Sequence, residues 1–136
     1  MIFTDVRAAL VQGYNTGAYG LPTGHENKRY VPVAGTPWAE LHIVRAQPSP
    51  VSLGTTGKDE HVGFMQIDLN YPLDSGTATI LAKADEIAAD FKAGQSFTYN
   101  SKTVIIRSCG ASAGRELNGW YNVILTIQFY SRISRA

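Results

Sequence analysis

The chain has 136 residues, of which 44% are hydrophobic, and its only cysteine is Cys109. This length predicts a single domain, 1–136, with one hydrophobic core, and one cysteine excludes an internal disulfide and a thiolate-rich zinc site. The 12 basic and 11 acidic residues give a formal net charge of +1 without a basic run, which argues against a general nucleic-acid or membrane-surface binder.

The low charge content indicates a surface that partners cover. Charged residues make up 17% of the chain, against about 25% in a typical globular protein. The sequence MIFTDVRAAL lacks the features of a secretory signal, and no apolar run approaches the roughly 20 residues that cross a bilayer. We therefore expect the protein to fold in the cytoplasm.

The N-terminal part of the chain predicts one helix and one long loop. The sequence TDVRAALVQ, residues 4–12, has helical apolar spacing, and Gly13 is its expected end. Glycine and proline recur so often from 13 to 37 that we predict a surface loop there, with a short extended piece at 30–33. Loops of this length are commonly functional or ordered by a partner.

Two strands with a mixed polar and aromatic face follow this loop. The alternation in WAELHIVR predicts a strand over 38–45, and FMQIDLNY predicts another over 64–71, which Pro72 ends. The mixed faces carry Trp38, Glu40 and His42 on the first strand and Phe64, Gln66 and Asp68 on the second. Large aromatic side chains among polar neighbours are typical of an interface between subunits.

The segment between these strands, 46–62, is rich in turn residues and predicts another surface loop. Gly54 and Gly57 flank two threonines, and Lys58 follows. The Gly-Lys-Ser/Thr ending of a phosphate-binding loop is absent, so no nucleotide site is predicted here.

The second half of the chain predicts a helix and two further strands. Residues 77–92, TATILAKADEIAADFK, have one apolar stripe, which includes Leu81, and one charged face. Strands are predicted over 103–107 and 120–130, with a glycine-rich loop at 108–119 between them, and the last strand is apolar on both faces, as in a central strand covered on two sides. This order predicts an α+β fold with an antiparallel or mixed four-stranded β-sheet and helices packed on it.

The carboxylates in GFMQIDLNYPLDSG are better explained by structural roles than by catalysis. Asp68 lies on the polar face of a predicted strand, and Asp74, with Ser75 or Thr77, is placed to cap the following helix. General acid–base catalysis needs two groups within reach of one substrate. We therefore do not expect a catalytic pair.

The histidines and candidate nucleophiles also lack a motif. His25, His42 and His61 have no metal-binding spacing, so structural roles are favoured over a composite metal site. The sequence GASAG around Ser112 matches the Gly-x-Ser-x-Gly pattern of a nucleophile elbow, but no predicted helix follows it. Cys109, as a lone cysteine, is more often structural than catalytic. We expect no catalytic residue, no cofactor and no metal.

The central part of the sequence resembles the tail terminator-like proteins of long-tailed bacteriophages. The pattern G-x-x-Q-I-D-x-x-Y-P occurs at 63–72, K-A-D-x-I at 83–87 and F-x-x-G at 91–94. The order and spacing of these motifs carry the resemblance. It extends upstream to the strand at Trp38 and downstream to GRELNGWYNVILTIQFY, and it covers roughly 1–133.

The resemblance implies a non-enzymatic structural protein of the virion. Such proteins form a ring, usually a hexamer, that caps the tail tube, stops its polymerisation and offers a surface for joining the head. The implied partners are further copies of the chain, the tail tube protein and a head completion or connector protein, with the tape measure protein as a further candidate; no membrane and no sequence-specific nucleic acid are implied. The implied location is the head-proximal end of the tail, after assembly in the host cytoplasm.

On this interpretation the candidate interface has two parts. Subunit contacts or the ring lumen would involve Trp38, Glu40, His42, Phe64, Gln66 and Asp68. The 46–62 loop would reach the tube through Gly54, Gly57 and Lys58.

Three other interpretations remain open. The chain could be another head–tail joining or minor tail protein, which its binding partner would reveal. A small hydrolase could use His61, Asp68 and Ser112. A DNA-contacting module would bind with a steep dependence on salt.

Overall fold

The computed structural model describes residues 2–135, which form two helices and a sheet of eight strands. The helices are α1 (Ile2–Thr16) and α2 (Ala78–Asp90). The strands are β1 (Thr23–Gly24), β2 (Trp38–Arg45), β3 (Ser49–Pro50), β4 (Lys58–Pro72), β5 (Ser96–Tyr99), β6 (Lys102–Ala111), β7 (Arg115–Leu117) and β8 (Trp120–Ser134).

Four long antiparallel strands form the centre of the sheet. The strand order is β1-β2-β4-β8-β6-β5, while β3 pairs with β4 and β7 with β8. Only β1 runs parallel to its neighbour, so the sheet is mixed. The predicted α+β class is confirmed, but the predicted four-stranded sheet is wrong. The extra strands have two to four residues each, too few for alternation to reveal them.

The hydrophobic core lies between this sheet and both helices. Alternate side chains of the long strands are buried on this side, among them Leu41, Ile67 and Leu125, none more than 1% exposed. The helices contribute Val6, Ala9 and Leu10 from α1 and Ile80, Ala84 and Ile87 from α2. The other side of the sheet is covered by neither described helix. We call it the open face; it comprises the even-numbered residues of β2, β4 and β8, together with Arg107 of β6, which contacts Tyr130 and Glu60 on that side.

Helix α1 is longer than predicted because Gly13 does not end it. The helix continues through this glycine to Thr16. A Cβ atom at this position would lie 2.6 Å from the ring of Phe97, which itself packs against Phe91. Glycine therefore lets β5 approach the helix closely, and its role is packing rather than termination.

The predicted cap of α2 has the right position at Thr77 but is wrong for Asp74 and Ser75. Asp74 lies in the preceding turn with φ +64°, and the Ser75 hydroxyl donates to the carbonyl oxygen of Pro72 at 2.6 Å. Thr77 occupies the N-cap position but makes no side-chain capping bond within the described chain. Leu81, predicted on the apolar stripe, is 46% exposed.

Three segments predicted as loops contain strand residues. The 13–37 loop includes β1, although its predicted extended piece at 30–33 forms no strand. The 46–62 loop is shortened by β3 and by the early start of β4. The 108–119 loop contains the end of β6 and all of β7. Strand β8 is central as predicted, but the two described helices cover only one of its faces.

Candidate interaction surface

The six strand residues predicted for the interface all lie on the open face. The register of β2 and β4 places Glu40 opposite Asp68 and His42 opposite Gln66. Trp38 and Phe64 extend the same two rows towards opposite ends. All six side chains are partly exposed, because the two helices cover only the other side of the sheet.

The middle of the open face is a polar centre formed by Glu40, His42, Gln66 and Asp68. The Glu40 Oε1 and His42 Nε2 atoms are 3.5 Å apart. The side-chain amide of Gln66 donates to Asp68 Oδ1 at 3.0 Å. Strand alternation brings residues i and i+2 to the same face, so each strand contributes two adjacent polar side chains.

One end of the open face is an aromatic cluster that the sequence did not predict. The Trp38 ring stacks on Tyr30 with centroids 5.2 Å apart and meets the edge of Trp120 at 6.1 Å. Tyr30 comes from the long 13–37 loop, whose path cannot be read from sequence. The stacking therefore places part of that loop at the edge of the open face.

A buried amide pair lies beside this aromatic cluster. Asn122 Nδ2 donates to Asn70 Oδ1 at 3.0 Å, and both residues are at most 5% exposed. Asn122 Oδ1 and Trp38 Nε1 are buried and have no hydrogen-bond partner among residues 2–135. An unpaired buried polar atom costs roughly 1–3 kcal/mol, so these two atoms lower the stability of the single chain locally.

The other end of the open face combines an aromatic ring with basic side chains. The guanidinium of Arg107 lies 4.7 Å from the Tyr130 ring centroid and that of Arg132 lies 5.9 Å from it. Glu60 pairs with both arginines at 3.5 and 3.7 Å. Both arginine side chains remain more than half exposed. The open face thus changes from aromatic to polar to basic along its length.

The loop between β3 and β4, residues 51–57, is held against the sheet by Arg135. Its guanidinium donates to the carbonyl oxygens of Ser52 (2.6 Å), Lys58 (2.9 Å) and Gly54 and to the carboxylate of Asp59 (2.5 Å). Its backbone N–H donates to the Gly57 carbonyl at 2.8 Å. We call this set of bonds the Arg135 clamp.

The three predicted loop residues, Gly54, Gly57 and Lys58, all take part in this clamp or lie against it. Gly54 has φ +88°, a conformation that glycine adopts without strain. A Cβ atom on Gly57 would overlap the Arg135 guanidinium. Lys58 contributes backbone groups, including an N–H that donates to Ser52 Oγ at 2.6 Å. The clamp presents Leu53, which is 94% exposed, at the tip.

The residues of the hydrolase interpretation are not brought together. His61 and Asp68 lie on opposite faces of β4, and seven residues of strand separate them by roughly 23 Å. Ser112 Oγ accepts a hydrogen bond from the Ile124 backbone at 2.9 Å. A nucleophile and its base must be within hydrogen-bond reach, so these three residues do not form a triad.

The three histidines do not form a composite site either. His61 is buried on the helix-covered side, where burial lowers the pKa of its imidazole, whereas His42 lies on the open face. Within residues 2–135, the one group of three or more metal-binding side chains is Glu40, His42 and Asp68. Cys109 is half-buried, and burial raises the pKa of its thiol, which disfavours a reactive thiolate.

Comparison with known proteins decides the family. A family model described as phage tail terminator protein matches residues 5–129, which include most of α1 and extend into β8. The chain belongs to the phage tail terminator protein family. This confirms the resemblance drawn from the 63–72, 83–87 and 91–94 motifs. Among proteins of curated function, none matches the sequence significantly.

The fold of this tail terminator family member also occurs in a solved structure. That structure matches with a TM-score of 0.74 and 17% sequence identity over 94% of this chain and 93% of the other. At this identity the similarity supports the fold alone.

Family membership gives the coarse function. A tail terminator family member is a structural protein of the phage tail, so its place is the virion tail and its contacts are with other tail components. Neither described helix is long and apolar enough to cross a membrane.

Proposed function

We propose that this protein forms a ring, usually of six copies, that caps the tail tube, stops its polymerisation and provides the surface to which the head is joined. The observation that carries this proposal is the open face. A family member with both helices on one side of its sheet leaves a broad mixed surface available for assembly. A closed ring has two different axial faces, so tube addition stops when one of them binds the tube and the other does not match it.

The chemistry of the open face supports a role at subunit contacts or at the ring lumen. Its aromatic cluster offers the large, rigid side chains that are enriched at interfaces. The basic end, with Arg107 and Arg132, would lie at the rim of such a contact, where charges favour correct pairing.

The 51–57 loop is proposed to contact the tube. Its tip presents Leu53, and the Arg135 clamp holds the loop in one shape before any partner arrives. A preorganised loop loses less conformational entropy on binding. The proposed partners are the tail tube protein on this side and a head completion or connector protein on the other, with the tape measure protein as a further candidate in the lumen.

The native mass of the purified full chain tests the ring. Light scattering across a concentration series should show a species of about 89 kDa, six times the 14.8 kDa of one chain, and negative-stain images should show open-centred rings. If only a monomer is found, tail tube protein is added. A monomer that neither closes on the tube tip nor limits tube length would reject the proposal.

Charge reversal tests the placement of the polar centre. Glu40→Lys and Asp68→Lys should impair ring formation, because each introduces a positive charge at the proposed contact. Asp85→Lys, on the exposed side of α2, is the charge-matched control. Rings of unchanged mass and stability in the first two variants would count against placing the polar centre at a subunit contact.

The second candidate function is another head–tail joining or minor tail role. This role fits the same family but involves a different partner. A pull-down with purified tail tube and connector proteins therefore distinguishes it from tube capping. Binding to the connector alone would favour this second function.

A further inference from the structure

Three metal-binding side chains of the polar centre converge on one point. One ligand atom each of Glu40, His42 and Asp68 lie within 4.8 Å of one another. The Glu40 Oε1 to His42 Nε2 distance is 3.5 Å. Tetrahedral zinc bonds of about 2.0–2.1 Å place neighbouring ligand atoms roughly 3.4 Å apart. Small side-chain rotations therefore suffice to bring all three groups around one ion.

The sheet fixes this convergence through its backbone. Glu40 and His42 are two residues apart on β2, and Asp68 is directly opposite Glu40 on β4. Gln66, opposite His42, holds Asp68 Oδ1 with its amide and leaves Oδ2 available. Hydrogen-bonded carboxylate ligands of this kind are common around protein-bound metals, where the outer partner orients the ligand.

The carboxylates of Glu40 and Asp68 belong to residues that lie directly opposite each other on neighbouring strands. Like charges directly opposite each other destabilise an antiparallel pair of strands. Within residues 2–135, neither Glu40 nor Asp68 forms an ion pair with a lysine or arginine, and Glu40 contacts only His42 in this way, which is charged only when protonated. A bound cation would compensate both carboxylates at once.

We propose that Glu40, His42 and Asp68 bind a divalent first-row transition-metal ion such as Zn²⁺. The imidazole ligand selects this class, because Mg²⁺ and Ca²⁺ prefer oxygen ligands alone. Two carboxylates and one imidazole occupy three positions of a tetrahedral ion, and water takes the fourth. The site joins β2 to β4 across the open face.

Metal binding to the purified full chain tests this site. Chelator-treated protein is titrated with Co²⁺, followed by visible absorption, and with Zn²⁺, followed by calorimetry. We expect one ion per chain and displacement of Co²⁺ by Zn²⁺. Glu40→Gln, His42→Gln and Asp68→Asn should each weaken Zn²⁺ binding by more than about tenfold, and Gln66→Ala by about tenfold, the usual loss for an orienting partner.

Controls separate ligand loss from misfolding. His25→Gln removes a histidine that lies outside the polar centre and should leave the affinity unchanged. Without metal, Glu40→Gln and Asp68→Asn should be at least as stable as the parent, because each removes the opposition of like charges. This readout needs neither a ring nor a tube, so it stands apart from the proposed function.

Three results would overturn the assignment. The first is no Zn²⁺ or Co²⁺ bound by the parent chain. The second is unchanged binding in His42→Gln, which would place the ion elsewhere. The third is Mg²⁺ binding as tight as Zn²⁺ binding, which would make the centre a general acidic patch.

Discussion

His61 shows how one side chain couples stability to pH. It lies on the helix-covered side of β4 with 9% of its surface exposed, and the edge of the Phe3 ring is near its imidazole. Its Nε2 atom has no hydrogen-bond partner within residues 2–135. Burial lowers the pKa of His61, and the nearby Asp59 only partly opposes this. The folded state therefore prefers the neutral imidazole.

We expect the free energy of unfolding to decrease as the pH falls from 7 to 5. Because the folded pKa of His61 lies below its unfolded value of about 6.5, the unfolded state binds more protons in this range. The contribution is complete above the unfolded pKa and is lost as the pH falls through the folded one, with a slope of at most about 1.4 kcal/mol per pH unit. Urea unfolding at several pH values measures it.

The matched comparison uses two histidine variants. His61→Leu should flatten the pH dependence. His25→Gln should remove a separate part of it, since desolvation and the charges of Arg7 and Lys28 also lower the pKa of His25. An unchanged slope in His61→Leu would show that His61 is not the group responsible.

For Gly13→Ala, packing predicts a change in the free energy of unfolding opposite to the one that helix propensity predicts. Alanine is favoured over glycine in a helix by about 1 kcal/mol, but here its Cβ would meet the Phe97 ring at 2.6 Å. Overpacking typically costs about 1–3 kcal/mol, so Gly13→Ala should lower the free energy of unfolding, by about 1 kcal/mol. Gly110→Ala, where a Cβ meets nothing within 4 Å, should be close to neutral. Stabilisation by Gly13→Ala would contradict the packing argument.

At the scale of elements, the long strands could be predicted from the sequence, but the residues that lie opposite each other on neighbouring strands could not. WAELHIVR gave the bounds of β2 as observed, because each polar or aromatic residue alternates with a buried one. The opposition of Glu40 and Asp68 depends on strand register, which links residues 28 positions apart and leaves no local signal. The Arg135 clamp likewise leaves no local signal in the sequence, because Arg135 and Gly54 are far apart along the chain and come together only when the sheet has folded.

The Arg135 clamp predicts a local rather than a global effect of mutation. Arg135→Ala should leave the core intact, while amide hydrogen exchange in residues 51–57 should accelerate by about 10- to 100-fold. The reason is that hydrogen bonds to a charged group contribute roughly 1.5–3 kcal/mol. Gly57→Ala should produce the same exchange pattern, since its Cβ displaces the guanidinium. Unchanged exchange in both variants would show that the loop holds its shape without the clamp.

At the scale of the whole molecule, assembly and tube contact should be separable if the proposed ring is correct. Leu53→Ser changes an exposed side chain at the loop tip, so stability and ring mass should stay unchanged while capping of tail tubes weakens. Tube length measured by electron microscopy in the presence of each variant tests this. Leu81→Ser, another exposed leucine but on α2, is the control, and equal capping by both variants would place the tube contact elsewhere.

The order of strands in the sheet also determines when this protein can fold. The central pairing joins β4 to β8 in register from Lys58–Ser134 to Pro72–Trp120, so the middle of the sheet unites segments that are far apart in the sequence. Such non-local pairing makes folding slow relative to helical proteins of similar size. During translation, β2 and β4 leave the ribosome before β8. The edge of β4 that pairs with β8 therefore stays unpaired until β8 has been synthesised. The nascent chain is therefore most exposed to aggregation in the interval between the synthesis of β4 and that of β8.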